Sequence, residues 1–287
     1  MDSLAPTAAF ASAEPFDAPV SAPAAQALPL FHPDRELPSR DIGKAWHHFK
    51  KLIANKEDTK EVFPIFEALP WKGMRAAAEA FLTSERGQAI VASEPYLPAI
   101  LDDHAELRKT PAGSLAHAYC DFMEREGLTA QGLVDEFDQF AEGKPRFDDQ
   151  FIWYLNRMRD THDLLHILTG YGRDALGEQC VLAFTYSQQP SHAHLFLGYA
   201  GGLEIKKRVK SSAPVLRAVR EGQRLGKACP RIAEMPIREL LAMPLDEVRR
   251  KLSITPTTRY QQAHAAWQAM GVDPYDLLGE DAAKQAA

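Results

Sequence analysis

The chain of 287 residues is 45% hydrophobic and 25% charged, with a net charge of −6. That composition fits an ordinary globular protein of one large domain or two small ones, and the negative balance argues against general nucleic-acid binding. Cys120, Cys180 and Cys229 share no CxxC spacing and read as reduced thiols of a cytosolic compartment.

Residues 1–38 differ in kind from the rest. They are rich in Ala and Pro, carry no Lys or Arg before Arg35, and show no sustained apolar period. Pro6, Pro15, Pro19, Pro23, Pro29, Pro33 and Pro38 oppose regular helix or sheet, so a disordered arm is expected. Neither an Arg-rich presequence nor a basic start with an apolar core is present, and a bacterial-type cytosolic protein is the expectation.

From Ser39 to about residue 280 the pattern is helical and predicts one all-α, multi-helix domain. Trp46, Phe49, Leu52 and Ile53 form one stripe. Asp58-Thr59-Lys60-Glu61 reads as a capping box opening TKEVFPIFEAL. Further helices are predicted over about 71–82, 111–126 and 129–141, separated by Pro, Gly and Ser signals. His47 and His48 are adjacent and point apart, and His104 and His117 are isolated; surface or core roles are expected for all four.

Residues 157–178, RMRDTHDLLHILTGYGRDALGE, hold the chemistry. At ~100° per residue, His162, Asp163 and His166 share about 100° of arc, with Leu155, Met158 and Thr169 close to the same face. Leu164, Leu165, Ile167 and Leu168 cover the other directions, so the helix is buried and its polar groups need partners. Gly170-Tyr171-Gly172 stops it, and Asp174 is an N-cap for a second helix. If the two fold back as a hairpin, Glu178 comes level with His166 and Asp163. His162, Asp163, His166 and Glu178 would then form a divalent-metal site. A buried polar network, with Asp163 paired to Arg159, is the plain alternative. HDLLH is also close to the HExxH of zinc proteases, but Asp is a methylene shorter and no strand edge is in view. Cys180, two places after Glu178, points away from the ligand face and reads as core.

Next comes SQQPSHAHLFLGYAGGLEIKKRVK. His192 and His194 could ligate metal as an HxH pair on a strand, though a local role is expected. The apolar run from Leu195 to Ile205 is too short to span a bilayer and, broken by three glycines, suits a membrane interface or a greasy channel wall. Arg217, Arg220 and Arg224 fall at helical spacing on one face. They read as a solvated basic face, as a contact for anionic lipid headgroups, or as a site for a substrate carboxylate. Pro236, Pro244 and Pro256 divide the C-terminal part into short helices, and 281–287 is expected to fray. No repeat, P-loop, GxGxxG, Ser-His-Asp or Cys-His arrangement stands out.

His162-Asp163-x-x-His166, eleven intervening residues, then Glu178, with Thr161 and Thr169-Gly170, strongly resembles the ubiquinone (coenzyme Q) biosynthesis protein four family. DTKEVFPIFEAL and PLDEVRRKLSI extend the resemblance from about Leu52 to Leu252. The resemblance implies a largely helical protein whose motif holds a divalent metal, usually zinc, with iron an option for an open two-His, carboxylate-containing set. It implies action where the ring carboxylate of a polyprenylated 4-hydroxybenzoate is removed, by simple or oxidative decarboxylation, in association with other enzymes of the pathway. Phe151, Leu155 and Met158 extend the ligand face in a direction that suits the prenyl tail, and Arg217, Arg220 and Arg224 would meet substrate or membrane. The expected setting is the cytoplasmic face of a bacterial inner membrane, with the protein peripheral and compatible with a homodimer. Two rivals remain: a non-catalytic scaffold binding metal and prenyl lipid, and a metal phosphohydrolase of the HD class, which needs a further His and Asp that cannot be assigned.

Overall fold

The computed structural model describes residues 28–54 and 59–277. Among these there is no strand, and the fold is all-α. The helices are α1 (Ile42–Ala54), α2 (Val62–Ala68), α3 (Met74–Leu82), α4 (Glu85–Ser93), α5 (Leu97–Leu101), α6 (His104–Leu107), α7 (Leu115–Glu126) and α8 (Ala130–Phe140). They continue with α9 (Gln150–Asp160), α10 (His162–Thr169), α11 (Ala175–Gln188), α12 (His192–Arg208), α13 (Val215–Ala228), α14 (Ile237–Ala242), α15 (Leu245–Lys251) and α16 (Thr258–Gln268). Several starts follow local chemistry. Ser84, Ser114, Thr129, Asp149, Asp174 and Ser191 each accept a backbone N–H of the turn they open, as N-caps do. The capping box expected before α2 is not formed on the described side: Glu61 precedes α2 with no side-chain cap bond, and Asp58 lies outside the described residues.

Helix α11 is the central element. The main core joins it to α7, α10, α13 and α16 through Leu164, Leu168, Cys180, Val219 and Trp267. Glycines let α13 approach it closely: a Cβ on Gly222 would strike the Cys180 carbonyl, and one on Gly226 the Phe184 carbonyl. Cys180 is fully buried in this seam, as expected. A second cluster joins α1, α2 and α12. A third joins α3, α4 and α9.

Three local outcomes differ from expectation. The run through 157–169 is interrupted at Thr161, between α9 and α10. The Thr161 hydroxyl bonds back to the Met158 carbonyl at 3.3 Å, a side-chain bond that competes with regular helix. The glycine-broken run Leu195–Ile205 is the middle of one 17-residue helix, α12, because its glycines face neighbouring helices rather than solvent: Gly198 meets α11, and Gly202 meets Val215, Leu216 and Val219. Among the described residues no helix is long and apolar enough to cross a membrane. Finally, residues 28–38 of the expected arm lack helix and strand yet are tied down. Arg35 binds the Asp149 carboxylate at 2.6 and 2.8 Å, and Phe31 packs edge-on against Phe151 at 5.3 Å. Residues 1–27 and 278–287, which carry the rest of the arm and the tail expected to fray, lie outside the described residues.

Candidate metal centre

His162 and His166 are one turn apart on α10 and so share a face. His166 is 1% exposed, with the Phe122 ring stacked on it at 5.9 Å. Its Nδ1 lies 3.1 Å from the Tyr171 carbonyl. A carbonyl only accepts, so in the neutral ring Nδ1 carries the proton and Nε2 presents a lone pair. That is the tautomer a metal ligand needs, set by a backbone carbonyl as is usual around metals. Gly170, at φ 77°, ends α10 and turns the chain toward Tyr171.

Glu178 reaches the same point from the first turn of α11, whose start is fixed by Asp174. Tyr260 of α16 donates to Asp174 and accepts the Gly172 N–H at 3.0 Å, and His264 donates to Asp174 at 3.1 Å. The turn between the two ligand-bearing helices is therefore braced from a third helix. On the far side, Arg249 of α15 donates to the Leu168 and Ile167 carbonyls at 3.0 and 2.9 Å. It caps the C-terminus of α10 with a cation, where the helix dipole favours one.

Three ligand-type atoms converge. His162 Nε2 and His166 Nε2 are 3.4 Å apart, and Glu178 Oε2 lies 3.7 Å from the first and 3.6 Å from the second. Ligand bonds of ~2.0–2.2 Å in a tetrahedron put the ligand atoms about 3.4 Å apart. The triangle already has that size, so the residues fit a divalent metal with almost no rearrangement. The side chains of His162 and Glu178 are 32% and 31% exposed, which leaves one side of the triangle open. Electrostatics bind the set together. Burial pushes the Glu178 carboxyl up, but the close approach of His166 and His162 outweighs it and holds the carboxyl far below the usual range. Burial pulls the His162 ring down, and the nearby Glu178 carboxylate more than reverses it.

Asp163, expected as a fourth ligand, is not part of the triangle; the group that could hold a metal is His162, His166 and Glu178. It follows His162 by ~100° of helix rotation, and its charge acts on Tyr119 of α7, whose buried hydroxyl has no hydrogen-bond partner among the described residues. Its expected partner Arg159 pairs instead with Asp160 at 2.7 Å. Phe151, Leu155 and Met158 pack into the third apolar cluster against α3 and α4, where Phe151 is 1% exposed. The break at Thr161 separates their helix from the ligand helix. Arg217, Arg220 and Arg224 are exposed, on the side of α13 opposite the one that packs on α11, and none has an ion-pair partner among the described residues. Of the four histidines expected in local roles, His48 pairs with Glu61, His104 with Glu124, His117 meets the Arg108 and Thr110 carbonyls, and His47 is exposed. The HxH pair lies on a helix, not a strand: His192 is exposed beside Arg40, while His194 is buried. Arg249, the Tyr171 carbonyl and Tyr260 went unread. Arg249 sits within PLDEVRRKLSI, the one signal that could have pointed to it.

Residues 52–258 match the family described as Coenzyme Q (ubiquinone) biosynthesis protein Coq4. The ubiquinone biosynthesis protein COQ4 homolog 2, mitochondrial, of Culex quinquefasciatus is 30% identical over 106 residues, which cover 37% of this chain and 44% of the relative. The mitochondrial COQ4 homolog of Mus musculus is 24% identical over 184 residues, covering 62% of this chain and 64% of the relative. The chain thus spans less than two thirds of the length of these relatives. A solved structure from Nostoc punctiforme PCC 73102, a candidate ubiquinone biosynthesis protein, covers 75% of this chain and 98% of its own at 21% identity, with a TM-score of 0.49. A likeness of that size carries no argument.

Proposed function

This chain belongs to the coenzyme Q (ubiquinone) biosynthesis protein Coq4 family, and from that premise we propose that it removes the ring carboxylate of a polyprenylated 4-hydroxybenzoate with the help of a divalent metal, zinc before iron. The observation that carries the reading is the His162–His166–Glu178 triangle, whose edges of 3.4, 3.7 and 3.6 Å match a zinc site with three protein ligands. Catalytic zinc sites keep a fourth position for water or substrate, whereas structural ones are closed by four protein ligands. The open side beside His162 and Glu178 therefore favours an enzyme over a metal-stabilised scaffold.

When bound, the metal supplies Lewis-acid stabilisation of negative charge on a substrate oxygen. The other contributions come from the chain. His166, fixed by the Tyr171 carbonyl, sets the floor of the site. Phe122, stacked on His166, keeps water from its buried side. In simple decarboxylation a proton drawn from solvent forms the new C–H bond at the carboxyl-bearing ring carbon, the C–C bond to the carboxylate breaks, its electron pair returns to the ring, and CO₂ leaves.

The same reading takes in the surroundings. Leu203 is 57% exposed beside Lys206 and Lys207, and the free arginines of α13 adjoin α12 near Tyr199. This face would hold the protein peripherally on an anionic membrane where its lipid substrate and partner enzymes reside, at ~1 kcal/mol per basic residue near the surface. The test is CO₂ release by purified, metal-loaded protein given a prenylated 4-hydroxybenzoate, with and without oxygen. A chain that retains metal and captures partner enzymes but releases no CO₂ under either condition is a scaffold, and the enzyme reading is then withdrawn.

A further inference from the structure

His162 and His166 share α10, so one helix holds their 3.4 Å separation. Glu178 stands on α11. Its two edges of the triangle, 3.7 and 3.6 Å, depend on how the two helices are set against each other. Residues 170–174 make the covalent link between those helices, and the groups that fix this link come from α16.

Tyr260 touches the link three times. Its hydroxyl accepts the Gly172 N–H at 3.0 Å and donates to the Asp174 carboxylate. Its ring stands edge-on against Tyr171 at 5.2 Å between centroids, and the Tyr171 carbonyl is the one that fixes His166. Both hydroxyl contacts pass directly to Glu178. The Gly172 carbonyl lies against Gly177, where a Cβ would strike it, and Gly177 precedes Glu178. Asp174 caps α11 through the Leu176 and Gly177 N–H groups at 3.1 Å, and its own carbonyl accepts the Glu178 N–H at 3.0 Å. The Asp174 side chain has no solvent exposure, so bulk water does not replace a lost donor there. Tyr260 and His264 lie just beyond residues 52–258, which match the family.

We infer that Tyr260 is a positioning residue for the metal: its hydroxyl, through Gly172 and Asp174, sets the level of Glu178 against the two histidines. The ring serves the other helix, through Tyr171 and His166. Removing the hydroxyl alone therefore loosens the two edges that end at Glu178 and leaves the His162–His166 edge as it is. Helix α16, which supplies no ligand, in this way controls how tightly the metal is held. The inference rests on the metal reading above, and its test keeps the two apart.

Cobalt(II) is the probe, since its visible spectrum reports its coordination sphere. Its affinity is measured for the full-length parent, Tyr260→Phe, Glu178→Gln and the double variant. Tyr260→Phe keeps the ring and should still bind one equivalent, with affinity lowered at least ~10-fold, as for other groups that support a ligand. The double variant should bind within about twofold of Glu178→Gln alone, because both changes act through one carboxylate. His264→Ala removes the other side-chain donor to Asp174, at 3.1 Å, and should be coupled to Glu178→Gln in the same way. Ser84→Ala removes the cap of α4; it should lower the melting temperature and leave cobalt affinity unchanged. Equal cobalt affinity in parent and Tyr260→Phe overturns the inference. So does a double variant in which the two losses multiply, which places the effect of Tyr260 outside Glu178. Affinity that falls in Ser84→Ala in step with stability overturns it as well, since binding then follows folding at large. A parent that binds no cobalt overturns the metal reading itself, and the positioning role with it.

Discussion

At the scale of single residues, the proton on His162 is the competitor a metal must displace. Its pKa is raised by Glu178 against the pull of burial, so metal affinity should climb with pH until that raised value is passed. Zinc titrations in buffers of different ionisation enthalpy should show proton release that shrinks as pH rises; release that is flat from pH 6 to 9 would contradict the shift. The metal-free protein carries the opposite sign. A histidine with a raised pKa contributes stability that is complete below ~6.5 and is lost as pH rises through the raised value. The Glu178 contribution is present above the ordinary carboxylate range and lost only as pH falls through its lowered value. Glu178→Gln keeps the shape of the side chain but removes its charge. It should weaken zinc binding by at least ~10²-fold, beyond the ~10–100-fold typical of changes to groups that merely support ligands, and should cut CO₂ release by at least ~10²-fold. The triangle was legible in the sequence because i,i+4 spacing and a cap-to-cap hairpin fix which residues can meet. Asp163 was not separable from its neighbours: lying at the edge of the same arc, ~60° beyond His166, does not decide which way a short carboxylate turns.

Elements show why part of the fold could be read and part could not. Caps and glycine stops placed α7 and α8 within a few residues, since those signals act within one turn. α12 was hidden, because Gly198, Gly201 and Gly202 resemble helix breakers until the surfaces they meet are known. The same contacts make a test of the α11–α13 seam. Gly222→Ala forces a methyl group against the Cys180 carbonyl and should cost about 1–3 kcal/mol, the usual range for overpacking, read as a lowered denaturant midpoint. Arg249→Ala removes two charge-assisted bonds to the end of α10. With its side chain 33% exposed, the loss should be nearer ~1–2 kcal/mol than the full value for buried charged bonds. It should appear as a melting point lower by several degrees, with zinc stoichiometry unchanged.

For the whole molecule, charge is segregated. The chain is net negative at −6, yet Lys206, Arg217, Arg220 and Arg224 lie on α12 and α13 without ion-pair partners among the described residues. Flotation with anionic liposomes should succeed at low salt, weaken as screening rises, and fail when Arg217, Arg220 and Arg224 are all changed to Glu. Equal flotation of parent and variant would return this face to simple solvation. Which way those arginines point was half-written in the sequence. Gly222 and Gly226 sit on the side of α13 opposite Arg220 and Arg224, and a helix turns its glycines toward a close neighbour.

One consequence concerns where the folded unit starts. The Asp149 carboxylate, with no solvent exposure of its own, does two jobs: it caps α9 through the Ile152 N–H at 3.0 Å and receives Arg35 and the His32 backbone. Trimming the chain at Ser39, where the helical pattern begins, would strip that carboxylate of its counter-charge and uncover Phe151, although every helix remained. The shortened protein should express with native helix content yet unfold in milder acid than the parent. Asp149 would no longer be held below the ordinary carboxylate range, so its protonation, and the loss of the α9 cap with it, would arrive at a higher pH. A stretch without helix or strand thus sets the acid tolerance of the helix that leads into the candidate metal centre.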